Sequence, residues 1–192
     1  MDEIFLSASV PVEGRQYYEG SDPLLIHAAV RALATLTLGR RRIVWGGHPS
    51  ITPMIWAVCE SLGLQYAQCV TLYQSNFFQD IFPEENARFK NVIYTESMKD
   101  AAASLRVMRK SMLERELKAA IFIGGMEGIV SEHELFREMH NNAPCVFLTA
   151  PGGGARELGI KHEIAPTHLD STNFTELLIT ALNIDPTEER KT

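Results

Sequence analysis

Short apolar runs alternate with longer stretches of helical spacing along nearly the whole chain, and this alternation constrains the fold most. Ile4-Phe5-Leu6, Ile43-Val44-Trp45, Tyr66 to Leu72, Val92-Ile93-Tyr94, Ala119 to Ile123 and Cys145 to Leu148 read as strands. Leu24 to Leu38, Ile51 to Leu62, Ser97 to Lys118, Val130 to His140 and Phe174 to Leu182 read as helices. Ser21 or Asp22 can cap the first helix, Pro23 suits its first turn, and Gly39 ends it. A βαβα order of this kind predicts an α/β protein: three layers, a mostly parallel sheet and helices on both faces. Tyr73 to Lys90 reads as a long loop with a short helix, and Ile164 as part of a short strand. The 192 residues suit one domain, expected over 1–184, followed by a polar and frayed tail over 185–192.

Charge removes several function classes. Lys and Arg total 18 against 24 Asp and Glu, a formal charge of −6, whereas proteins that coat nucleic acid usually show a basic excess. No nucleic-acid polymer is therefore expected as partner. The start, MDEIFLSASV, lacks the basic flank and long apolar run of a signal peptide, and no stretch reaches the length of a membrane span. Cys59, Cys69 and Cys145 are odd in number, without CxxC spacing, and suit reduced packing residues in a cytoplasmic protein with no membrane partner.

Ligands of open parallel sheets sit beyond the carboxyl ends of the strands, so the loops there are the place to look. Three such loops stand out: Ser7 and Ser9; Gly46, Gly47, His48 and Ser50; and Gly125, Met126, Glu127 and Gly128. Glycine lets backbone N–H groups approach a ligand, and a following helix N-terminus favours an anion. Each glycine pair is also what a tight strand-to-helix turn needs. Glu132 falls about one helical turn beyond Gly128, so its carboxylate can overhang the same crevice. A carboxylate in a first helical turn also simply compensates the dipole. Arg106, Arg109 and Lys110, on the preceding helix, are the candidate anion contacts, although a solvated helix face would look alike. Tyr73, Gln74 and Ser75 are weaker candidates at another strand end, and Arg15, Tyr17 and Tyr18 could form a flap.

Other features promise less. His133 is expected on a helix surface, no metal-ligand set surrounds any histidine, and no cofactor is called for. Pro151 to Glu157 is glycine-rich but lacks the GK[ST] ending of a phosphate loop. It reads as a flexible loop at the sheet edge, with Arg156 a minor candidate contact. Trp45, Trp56 and the Phe77/Phe78 pair suit core or interface.

IVWGGHPSITPMIW resembles the strand–glycine–helix element of LOG-type phosphoribohydrolases, and IFIGGMEGIVSEHELF resembles their PGGxGTxxE element. The chain is thus similar to the SLOG superfamily of Rossmann-like folds, which joins LOG/lysine-decarboxylase-like and DprA/Smf-like proteins. The resemblance runs roughly from Ile4 to Leu148 and is closest to the nucleotide-sensing SLOG domains of prokaryotic defence systems. It implies Glu132 at the catalytic glutamate, Arg109 at the family's arginine with Arg106 as neighbour, and Gly125 and Gly128 at its glycines. Gly124 stands in place of the proline, Met126 in place of a glycine and Ile129 in place of the threonine, while Glu127 adds charge beside a would-be phosphate. The resemblance therefore implies a sensor of a nucleotide-derived small molecule, acting as a homodimer or larger homo-oligomer, with an effector protein as a possible partner in antiviral signalling. The alternative it implies is a nucleoside 5′-monophosphate phosphoribohydrolase using Glu132 and Arg109.

Overall fold

The computed structural model describes residues 1–192. Six strands, β1 (Glu3–Ser9), β2 (Arg42–Trp45), β3 (Val70–Ser75), β4 (Asn91–Thr95), β5 (Leu117–Gly124) and β6 (Cys145–Leu148), form one sheet in the order β4-β3-β2-β1-β5-β6. Every pairing is parallel. Seven α-helices surround it: α1 (Pro23–Thr37), α2 (Thr52–Leu62), α3 (Ala101–Leu113), α4 (Glu127–Met139), α5 (Gly153–Lys161), α6 (Pro166–Leu169) and α7 (Phe174–Leu182). The Rossmann-like α/β architecture is the one expected. No helix is long and apolar enough to cross a membrane.

Side chains of successive strand residues point to opposite faces, so β1 feeds two cores. Ile4 and Leu6 join α1, α2 and α7 in one core, while Phe5 joins α3, α4 and α5 in the other. Phe5 lies edge-on to Phe122 and stacks on Phe136. From β1 the chain builds outward through β2, β3 and β4, then returns to lay β5 and β6 on the other side. That reversal opens a crevice beside the carboxyl end of β1, the usual ligand position in such sheets. Of the two cap candidates it is Asp22 that caps α1, accepting from the N–H groups of Leu24 and Leu25.

Several boundaries differ from the sequence expectation. The helix expected over 97–118 is α3, capped by Asp100 at its start and finished by Leu113. Leu117 and Lys118 belong to β5, where Leu117 registers with Glu3 and the neighbouring Arg115 pairs with the Glu3 carboxylate at 2.5 Å. Tertiary pairing outweighs helical spacing there. Leu64–Cys69 winds as a 3-10 turn, so the third strand runs over 70–75 rather than 66–72. Residues 161–165 hold no strand; Ile164 leads into α6. The expected flexible loop at 151–157 is the start of α5, with Gly152, Gly153, Gly154 and Ala155 buried. The polar tail is docked rather than frayed. Arg190 donates to the carbonyls of Thr35 and Leu38, the Lys191 N–H donates to the Gly39 carbonyl, and Glu188 pairs with Arg41.

Candidate functional site

A cleft of about 840 Å³ opens at the carboxyl ends of β1, β2, β3 and β5. Its volume lies within the roughly 300–1,000 Å³ of small-molecule sites. The expected loops converge on it: Ser7 and Ser9 from β1, Gly46, Gly47 and His48 after β2, and Gly125, Met126, Glu127 and Gly128 after β5. Arg106 and Arg109 reach it from α3, and Glu132 from α4. Ser50 stands behind the wall. Its hydroxyl accepts from the Val10 N–H at 3.2 Å and meets His48 Nδ1 at 2.7 Å, joining the second loop to the first.

The centre of the cleft is a polar triad of side chains. Arg109 Nε donates to Glu132 Oε1 at 3.0 Å, and Ser7 Oγ donates to Glu132 Oε2 at 2.5 Å. The side chains of Arg109 and Glu132 are each only 18% exposed, so the pair is shielded from bulk solvent. Charge-assisted bonds of this length fix a carboxylate firmly. Their spacing follows from the fold. Ser7 ends the buried part of the central strand, α4 starts directly after β5, and α3 packs beside α4.

The glycine loop is shaped by contact as well as by turning. The Gly125 N–H donates to the Ser9 carbonyl at 2.8 Å, which ties the two strand ends together. A Cβ at Gly128 would stand 2.7 Å from Arg109 Nη2, so glycine there makes room for the guanidinium. α4 begins at Glu127, three residues earlier than the expected Val130, and no side chain caps it. Its first N–H groups are thus at the rim of the cleft. Glu127 is held below the usual carboxylate range by its own backbone N–H and then by Arg15, with which it pairs at 3.0 Å. The charge that looked unfavourable for a phosphate loop is therefore already countered by a cation.

Arg106 lines the cleft without any ion-pair partner. Lys110, by contrast, faces Glu114 one turn along α3 at 3.9 Å and is outside the cleft lining. The segment 10–21 passes over the glycine loop through Arg15–Glu127 and through a bond from the Tyr17 hydroxyl to Glu157 at 2.9 Å. Burial, then Glu157, raises the Tyr17 hydroxyl above its ordinary value. Tyr18 does not line the cleft. On the opposite wall burial pushes the His48 imidazole down. Gln74 Nε2 donates to the Gly46 carbonyl at 2.8 Å and so holds the second loop in place.

The sequence reading missed two things. One wall is apolar, formed by Phe78, Ile81, Phe82 and Leu105. The Phe77-Phe78 and Phe82-Pro83 pairs right after a strand end were the available signal, but a loop gave no periodicity to orient them. The other is His133, which is not a surface residue: it is 6% exposed, edge-on to Phe122 and against His162. Its ring is pushed down to about 4, mainly by burial and next by His162. It lies outside the cleft lining. Arg156 does not reach the cleft either; it bonds the Thr149 and Leu169 carbonyls and Asp170. No three His, Cys, Asp or Glu side chains are placed to hold a metal ion.

The arrangement offers a ligand one fixed carboxylate, one unpaired guanidinium, the uncapped start of α4 and an apolar wall. These match a molecule with hydroxyls, an anionic group and a flat apolar part. Searches of curated proteins and of solved structures return no match. A family model described as the SLOG cluster3 family matches residues 16–182, which takes in α1 through α7 and leaves β1 and the first part of the loop after it ahead of the match and residues 183–192 beyond it. With a match over most of its length and the Rossmann-like sheet the superfamily implies, the chain belongs to the SLOG cluster3 family.

Proposed function

We propose that the chain is a sensor that binds a nucleotide-derived small molecule across the Ser7, Gly46 and Gly125 loops. Membership of the SLOG cluster3 family implies nucleotide-related binding or sensing in general terms. The observation that carries the finer reading is the Ser7–Glu132–Arg109 triad inside a cleft of about 840 Å³. Glu132 accepts ribose hydroxyls, Arg106 and the free edge of Arg109 meet phosphate, and the Phe78–Phe82 wall takes the base. The site lies in a single domain over 1–184, with 185–192 as an appended strap. Calorimetry against a panel of nucleotides and cyclic nucleotide derivatives tests the reading. Saturable heat from one class, lost in Glu132→Gln and Arg106→Ala, is the expected result. Folded protein that binds none of them ends the proposal.

A second reading, the phosphoribohydrolase, is favoured by the same Glu132–Arg109 pair. A carboxylate facing an oxocarbenium-like carbon stabilises its developing charge. Each Glu132 oxygen already accepts one bond, from Ser7 or from Arg109, which leaves lone pairs for ribose hydroxyls but spends part of the carboxylate's charge on the guanidinium rather than on a cationic carbon. That is why sensing ranks first. Base release from nucleoside monophosphates that vanishes in Glu132→Gln would reverse the order.

A further inference from the structure

The two edges of the sheet are finished differently. At β6, Pro144 stands at the strand's entry, and α6 and α7 rise beside it, with Ile164, Thr167 and Leu177 around a groove of about 490 Å³. At β4, no proline, bulge or inward charge interrupts Asn91 to Thr95, and the strand pairs on one side only, with β3. An edge left in this state is a template for another strand. Apolar surface gathers beside it: Tyr94 is 53% exposed and Ile81 63%, and Phe82 stacks on Tyr94 with ring centroids 6.0 Å apart.

The sequence of this edge says which strand it suits. Around Ile93 the segment is self-complementary when read in opposite directions: Lys90 faces Glu96, Asn91 faces Thr95, and Val92 faces Tyr94. Lys90 and Glu96 flank the strand, are exposed, and make no ion pair within the chain. A two-fold axis through Ile93 would bring each lysine to the partner's glutamate, giving opposite charges at both ends and apolar or amide groups between. An isologous contact needs this kind of self-matching surface. Charged pairs at the ends of a strand pair also fix its register.

We propose that β4 is a dimerisation edge, pairing antiparallel with β4 of a second copy about an axis at Ile93 to make a continuous twelve-stranded sheet. This goes beyond the ligand reading and stands whether or not that reading holds. Phe82 touches both Tyr94 and the cleft, so the contact would lie against the apolar wall of the binding site.

Light scattering and sedimentation of the full chain test it, with circular dichroism to check folding. Wild type is expected to dimerise reversibly. Lys90→Glu sets two like-charged pairs across the axis and weakens the dimer about tenfold or more. Glu96→Lys does the same, and the double variant Lys90→Glu/Glu96→Lys, which swaps the charges, restores the wild-type affinity. Wild type that stays monomeric at high micromolar concentration overturns the proposal. So does a dimer indifferent to Lys90→Glu, which places the contact elsewhere, and so does a double variant as weak as the singles.

Discussion

The loops after β5 and after β6 look alike in sequence. Each puts glycines between a strand and a helix, Gly124 to Gly128 in one and Gly152 to Gly154 in the other. They serve different ends. The first faces the cleft, and the room at Gly128 is taken by a guanidinium. The second faces the backbone of the first. A Cβ on Gly153 would fall 2.4 Å from the Gly124 carbonyl carbon, and the Gly154 N–H donates to the Gly125 carbonyl at 3.0 Å. The second loop is a buttress for the first. Glycine content alone therefore does not mark a ligand loop; what fills the missing side chain's place does.

The largest test of this contrast is Gly153→Ala. The residue has φ +72°, and the new methyl has only backbone to push against. Strain and clash together should cost about 3 kcal/mol or more, read as a lower urea midpoint. A variant as stable as wild type would remove the buttress.

Acid comes next, since it acts on the same side of the sheet. His133 is neutral in the folded chain, with a pKa of about 4 against an ordinary 6.5. Stability carried by that neutrality is complete above pH 6.5 and is lost as pH falls through 6.5 towards 4. The loss should reach on the order of 1–2 kcal/mol, short of the full shift because the site is not wholly dry. His133→Phe, which also relieves the unpartnered Nε2, should flatten the dependence. Parallel acid titrations of the two proteins by thermal melting would contradict this if their slopes agreed.

Gly128→Ala sharpens the comparison from the other side. The position is helical and its one close neighbour is the movable end of Arg109. Stability should stay within about 1 kcal/mol of wild type or rise, because alanine favours helix. Nucleotide binding should still weaken as the guanidinium is displaced, so the melt and the calorimetry should diverge. Smallest of all is Arg156→Ala. Its carboxylate partner, Asp170, is well exposed, so the loss should be at most about 1 kcal/mol, with ligand affinity unchanged.

The sequence made the fold legible because β1, β2 and β5 are apolar on both faces, as central parallel strands must be. The cleft loops were legible for a related reason: the carboxyl ends of such strands converge by topology. Glu132 was marked by its spacing from Gly128, and resemblance then paired it with Arg109 in a family role, but their bond could not be read, since it depends on how α3 packs against α4. Pro151 to Glu157 was misread because turn-forming residues look the same whether solvent or another backbone lies beside them. His133 was misread because the polar residues around it on α4, Glu132 and Glu134, suggested a wet face, while the neighbour that buries it, Phe147, lies on a different strand. The tail was misread by composition. Its arginine finds its partners at the end of α1, more than 150 residues earlier in the chain.

Ser7 lies on β1, which is hydrogen-bonded to β2 on one side and β5 on the other. Amides in such a strand exchange with solvent only when the whole molecule opens. Arg15, at the other side of the cleft mouth, rides a loop held by a pair whose side chains are about half exposed, at 56% and 46%. One wall of the cleft thus keeps the slow clock of global unfolding, and the other keeps the fast clock of a surface loop. In a hydrogen-exchange experiment a bound ligand should slow β1 only by what its binding adds to global stability, while its effect on residues 10–21 should appear at labelling times at which β1 has not yet exchanged at all.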